Sequence, residues 1–69
     1  LLMSNEYKDW LADCAQDFLL EQYYLKRCEW YKEWKHGWLI CGRDHSNRLT
    51  IFYVYLDDKS EFHAEEQFV

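Results

Sequence analysis

From Ser4 to Lys35 the chain runs without a proline or a glycine. Nothing in that stretch has to break a helix, so it predicts one long helix, or two joined near Glu21–Gln22. Asp9, Asp13, Asp17 and Glu21 recur within it at a spacing of four. At 100° per residue each step drifts by about 40°, so the four carboxylates form a row on one face, roughly 6 Å apart along the axis. Like charges at this spacing destabilise a helix by a few tenths of a kcal/mol per pair. The row therefore does nothing for the helix itself and points to a use outside it.

The helical register also sorts the apolar residues. Tyr7, Leu11, Cys14, Phe18 and Leu25 fall in a narrow arc, with the acidic row expected beside it. Leu20, Tyr23, Tyr24, Tyr31 and Trp34, with Arg27 among them, gather roughly 180° away. Two opposite stripes imply either a bend that turns both to one core, or a rod about 46 Å long that carries two surfaces. Ser4, with Asn5 as the alternative, is the expected N-cap. Gly37, after the basic Lys35 and His36, is the expected stop.

Beyond Gly37 the pattern changes. Trp38-Leu39-Ile40-Cys41 reads as a short strand and Gly42–Arg48 as a polar connection. Leu49–Leu56 is the clearest strand: Leu49, Ile51, Tyr53 and Tyr55 alternate with Thr50, Phe52, Val54 and Leu56. Both faces are apolar, as in a strand covered on two sides, and one helix covers only one of them. Asp57–Ser60 is a turn. Phe62–Phe68 reads as a third strand, with a short helix capped by Ser60 as the alternative. The expected fold is α+β: a long N-terminal helix, bent or broken near 21–22, on an antiparallel sheet of two or three strands. Residues 1–69 form a single small domain. Met3 is the only methionine, which reads as a native start and a complete small protein.

Charge follows the same divisions. Glu6, Asp9, Asp13, Asp17 and Glu21 against Lys8 give residues 1–21 a balance of −4. The central residues 22–48 are basic at +3, and residues 49–69 return to −4, within a net charge of −5. An aromatic share of 20% excludes a disordered tail. At this length the core alone is marginal, so self-association is a sensible default. The longest apolar run is too short to span a bilayer, and no signal peptide is visible, which places the expected location in the cytoplasm.

Chemical motifs are weak. Cys28, His36, Cys41 and His45 are zinc-type donors, but their spacing matches no finger or ribbon, so no metal or cofactor is expected. Cys14, Cys28 and Cys41 read as reduced thiols. Cys41 with His45, Asp44 beside His45, and Glu61, Glu65 and Glu66 are the residue types of nucleophilic or acid–base sites. A solvated turn and an acidic edge explain the same letters, so no enzyme is expected. Tyr23, Tyr24, Lys26, Arg27, Trp30, Tyr31, Lys32, Trp34 and Lys35 interleave rings and cations, a mix that serves base stacking or a protein interface. The acidic flanks make direct nucleic-acid binding the third reading.

The first reading is stoichiometric inhibition. Asp9, Asp13, Asp17 and Glu21 would imitate a nucleic-acid backbone toward a basic, nucleic-acid-binding protein such as a processing enzyme. A duplex strand presents one charge per roughly 3.4 Å, so a row at 6 Å imitates it coarsely. In size and charge the chain resembles phage-encoded inhibitors of host defence, anti-CRISPR proteins among them, which implies a DNA mimic in the host cytoplasm. The second reading is a structural or regulatory homo-oligomer, a homodimer for example. It would assemble through Tyr24, Arg27, Tyr31 and Trp34 on the aromatic half of the helix.

Overall fold

In a computed structural model, which describes residues 5–68, the helix stops well short of Lys35. Helix α1 is Asn5–Tyr23 and is followed by four strands: β1 (Arg27–Trp34), β2 (Gly37–Arg43), β3 (Leu49–Leu56) and β4 (Phe62–Gln67). The strands form one antiparallel sheet in chain order, β1-β2-β3-β4, and α1 packs on one of its faces. The expected α+β class, with its N-terminal helix on an antiparallel sheet, therefore stands. The sheet has four strands, because residues 27–34 are extended. The Ser4 cap and the Met3 start lie outside the described residues, and Asn5 already belongs to the helix.

The helix ends without glycine or proline because Tyr24 adopts the left-handed conformation, at φ 52°. The Leu25 amide then donates to the Leu20 carbonyl at 3.1 Å, the six-to-one bond of a Schellman ending. An L-residue in that region is strained by about 1 kcal/mol, and it leaves no mark in the sequence. The expected break near Glu21–Gln22 is thus an end at Tyr23. Past it, Trp and Tyr follow their preference for strands.

The second apolar stripe dissolves with the helix. Leu20 and Tyr23 remain on α1, Tyr24 forms its cap, and Arg27, Tyr31 and Trp34 belong to β1. Within β1 the alternation is reset by a bulge between Cys28 and Trp30, where Glu29 is the extra residue. Cys28 packs with the core beside α1, whereas Trp30, Lys32 and Trp34 pair with Cys41, Leu39 and Gly37 on the opposite face. Gly37 is not a helix stop. It opens β2 after the Lys35–His36 turn, in which Lys35 takes φ 53°.

The β2–β3 and β3–β4 turns repeat one device. Asp44 accepts the amides of Ser46 and Arg48 on Oδ1 at 2.8 and 3.0 Å, and Asn47 sits at φ 65°. Asp57 accepts those of Lys59 and Glu61 at 2.8 and 2.9 Å, and Ser60 sits at φ 62°. Each Asp thereby satisfies backbone donors that no strand reaches. The polar connection is shorter than expected, since Gly42 and Arg43 belong to β2.

Between helix and sheet lies the core: Leu11, Ala12, Ala15 and Leu19 of α1 against Trp38, Ile40, Phe52 and Val54. Leu19, Ile40 and Val54 are fully buried, each contributing about 1.5–3 kcal/mol on leaving water. Ala12 and Ala15 let the helix backbone approach the sheet, and Phe18 and Phe62 close one side with ring centroids 5.5 Å apart. The helix thus rests on a face rotated from the expected one, and Tyr7 stays largely exposed.

Candidate functional site

That rotation decides where the carboxylates go. At 100° per residue, the buried Leu11, Ala12, Ala15 and Leu19 centre roughly 165° from the row of acids. Asp9, Asp13, Asp17 and Glu21 are all exposed, and so is Glu6, which joins them. The row lies opposite the packed face, as the outer ridge of the molecule, and not beside that face. Lys8 is the helix's one cation and falls on the packed side, half-buried. Among the described residues no cation lies within ion-pair distance of any of the five acids. A ridge of five charges over about 22 Å therefore stands in solvent, where one DNA strand would present about seven.

Trp10 stands in the same arc and is 58% exposed, with its ring 5.7 Å from that of Tyr7. A large ring kept in water beside carboxylates contributes little to the fold. At an interface it is the residue type that carries the most binding energy. Sequence periodicity brought the four acids together correctly and missed both Glu6 and Trp10, whose signal is position on the arc.

The remaining expected contact residues do not assemble. Tyr24 stacks on His45 at 4.7 Å. Arg27 and Trp34 lie at opposite ends of β1, and Tyr31 pairs with Ile40 on the other face of the sheet. What does assemble is the sheet face turned away from α1. There Trp34 meets Tyr53 edge-on at 5.3 Å, Tyr53 stacks on Tyr55 at 5.2 Å, and Tyr55 stacks on His63 at 5.3 Å. Lys35 Nζ lies over the Trp34 ring at 4.2 Å. The rings of this row pack against one another across the sheet, with Lys35 over the Trp34 end.

Two polar clusters flank that row. At one end Glu29 Oε1 accepts from Arg27 Nε and Arg43 Nε, both at 2.7 Å. The Arg43 bond, and then the Arg27 bond, hold the Glu29 carboxyl below its usual range. At the other end Asp57 Oδ2 lies 2.7 Å from His63 Nε2, which pulls the Asp57 carboxyl down, with further help from the Glu61 amide. Asp57, Glu61 and His63 can place three ligand atoms within 4.8 Å. Asp57 Oδ1 already holds two turn amides, so the trio is explained as a hairpin staple.

The zinc-type donors do not converge: His36 and His45 sit on turns at opposite ends of β2. Cys14, Cys28 and Cys41 are free. Cys14 lies on α1, Cys28 on β1 and Cys41 on β2. Burial pushes the Cys28 and Cys41 thiols up, the reverse of what a nucleophile needs. No helix among the described residues is long and apolar enough to cross a membrane. Comparison with family models, curated proteins and solved structures found no match.

Proposed function

We propose that this chain is a non-enzymatic, protein-binding inhibitor whose working surface is the acidic ridge of α1. The observation that carries the reading is the position of Glu6, Asp9, Asp13, Asp17 and Glu21: exposed, opposite the packed face and, among the described residues, in no ion pair. Repulsion along the ridge is relieved when a basic surface covers it, and among the described residues no ion pair relieves it. Its partner is a protein whose groove normally holds a nucleic-acid backbone. Trp10 is the apolar anchor within an otherwise electrostatic contact. The phage anti-defence role belongs to this same reading.

The test uses immobilised chain and a panel of purified nucleases and DNA-binding proteins. A true partner binds, is displaced by excess duplex DNA, and weakens steeply as salt rises from 50 to 300 mM. Reversing Asp13→Lys and Asp17→Lys together lowers affinity by at least about tenfold while the circular dichroism spectrum is retained. Binding that survives the double reversal, or that duplex DNA does not displace, sinks the proposal.

A further inference from the structure

The sheet face opposite α1 is apolar in its middle, yet among the described residues no helix or strand covers it. β3 shows why this matters. An antiparallel strand with one wet face alternates apolar with polar residues. Here the residues on the open side are Leu49, Ile51, Tyr53 and Tyr55. Four strands at about 4.8 Å and seven residues at about 3.3 Å give a face of roughly 440 Å2 in projection. Two such faces together approach the 1,000 Å2 of a specific interface before side-chain relief is counted.

Register identifies the occupant. Lys32, Leu39, Tyr53 and Glu65 are consecutive partners and form one row across all four strands. The rows on either side contain Gly37 next to Tyr55 and Cys41 next to Ile51. We propose that a second copy of this chain packs on this face, related by a two-fold axis parallel to the strands that passes between β2 and β3. That axis lays β1 of one copy over β4 of the other and reverses each row onto itself. Lys32 then meets the second copy's Glu65, and Glu65 meets its Lys32. In the middle, Tyr55, Tyr53 and Ile51 of one copy come to the rows of Gly37, Leu39 and Cys41 of the other, so the apolar strands β2 and β3 of the two copies face each other.

Charge also selects this axis over the alternative. A two-fold perpendicular to the strands would set Lys32 against Lys32 and Glu65 against Glu65. Within one copy the two residues are three strands apart, about 14 Å, and so do not pair with each other. Both are exposed, and neither takes part in an ion pair among the described residues. The resulting aligned sandwich leaves both acidic ridges on the outside. It is independent of the inhibitor reading, because the two surfaces share no residue.

Analytical ultracentrifugation of the full chain between 5 and 200 μM tests the proposal, with Lys32→Glu, Glu65→Lys and the double variant compared. The parent chain is expected to dimerise. Each single reversal weakens the dimer at least about tenfold, and the double reversal restores it. A mixture of the two single variants forms heterodimers more tightly than either forms homodimers. Both positions are exposed on edge strands, so unchanged thermal melts confirm that the fold is intact. A parent monomer at 200 μM overturns the proposal and leaves the face to a different protein. A dimer indifferent to the charge swap overturns the register.

Discussion

The two glycines of β2 give the most exposed test of the fold. Both sit in a strand, neither has a positive φ, and both are buried, yet the space around them differs. A Cβ at Gly37 would overlap the Val54 carbonyl oxygen and lie 3.0 Å from Tyr55 Cα and Cβ. The atoms it meets are mostly backbone of the neighbouring strand, so relief requires prying β2 from β3 where they begin to pair. A Cβ at Gly42 would lie 2.5 Å from Leu25 Cδ1, the tip of a side chain that can rotate. Gly37→Ala is therefore expected to cost ~3 kcal/mol or more, as severe overpacking does. For Gly42→Ala, the push on Leu25 is offset by the 0.5–1 kcal/mol gained from a less flexible unfolded chain, leaving a net change within about 1 kcal/mol. A chain of this length has about 3–10 kcal/mol in total. With a urea slope of about 1 kcal/mol/M, Gly37→Ala moves the midpoint down by about 3 M and Gly42→Ala hardly moves it. Urea titration followed by tryptophan fluorescence reads both. A Gly37→Ala midpoint within 1 M of the parent, or a Gly42→Ala loss of equal size, would refute the close approach assigned to Gly37.

Further consequences can be measured on the same protein. Tyr24→Gly relieves the left-handed cap and is expected to raise stability by about 0.5–1 kcal/mol in thermal denaturation, despite the lost stacking on His45. The Asp57 carboxyl is held low chiefly by His63, so its contribution is present above the unfolded value near 4 and is lost as pH falls through the lower folded value. The stability gap between the parent and Asp57→Asn should then be full at pH 6 and shrink below pH 4; a gap that widens in acid contradicts the assignment. Leu19→Ala removes a fully buried side chain and is expected to cost about 2–5 kcal/mol, enough to leave much of the chain unfolded at 37 °C by circular dichroism. Trp10→Ala should leave the melting temperature within about 2 °C, since its ring is exposed and outside the core, while the proposed inhibitor role has it weaken binding at the acidic ridge.

Several of these features were legible as letters. Leu49–Leu56 declared a strand with two apolar faces, and the structure has both, one under α1 and one open. The four-residue spacing of Asp9, Asp13, Asp17 and Glu21 was a sound helical signal because α1 spans them all. Arg27–Trp34 misled because Trp30 and Tyr31 stand four and three residues before Trp34, a spacing that satisfies a helical template as readily as a strand. The signal that separates the two is the end of α1, and it rests on Tyr24, an ordinary residue in a glycine-like conformation. Gly37 misled in the opposite sense: glycine after a basic turn is the usual sign of a helix end, whereas here it serves close contact between strands. The bulge at Glu29 was invisible, because an extra residue in one strand is defined only by its partner.

The order of the strands has a kinetic consequence. Each strand pairs with its neighbour in sequence, so the sheet is three successive hairpins and no loop longer than a turn must close before a pairing forms. Hairpins of this kind zip in microseconds, whereas the packing of α1 against β3 and β4 joins residues far apart in sequence. The central hairpin β2–β3 holds most of the sheet's buried side chains, and its amides should exchange with solvent last. The core that these side chains form also includes Leu11, Ala12, Ala15 and Leu19, so the sheet and α1 are stabilised together.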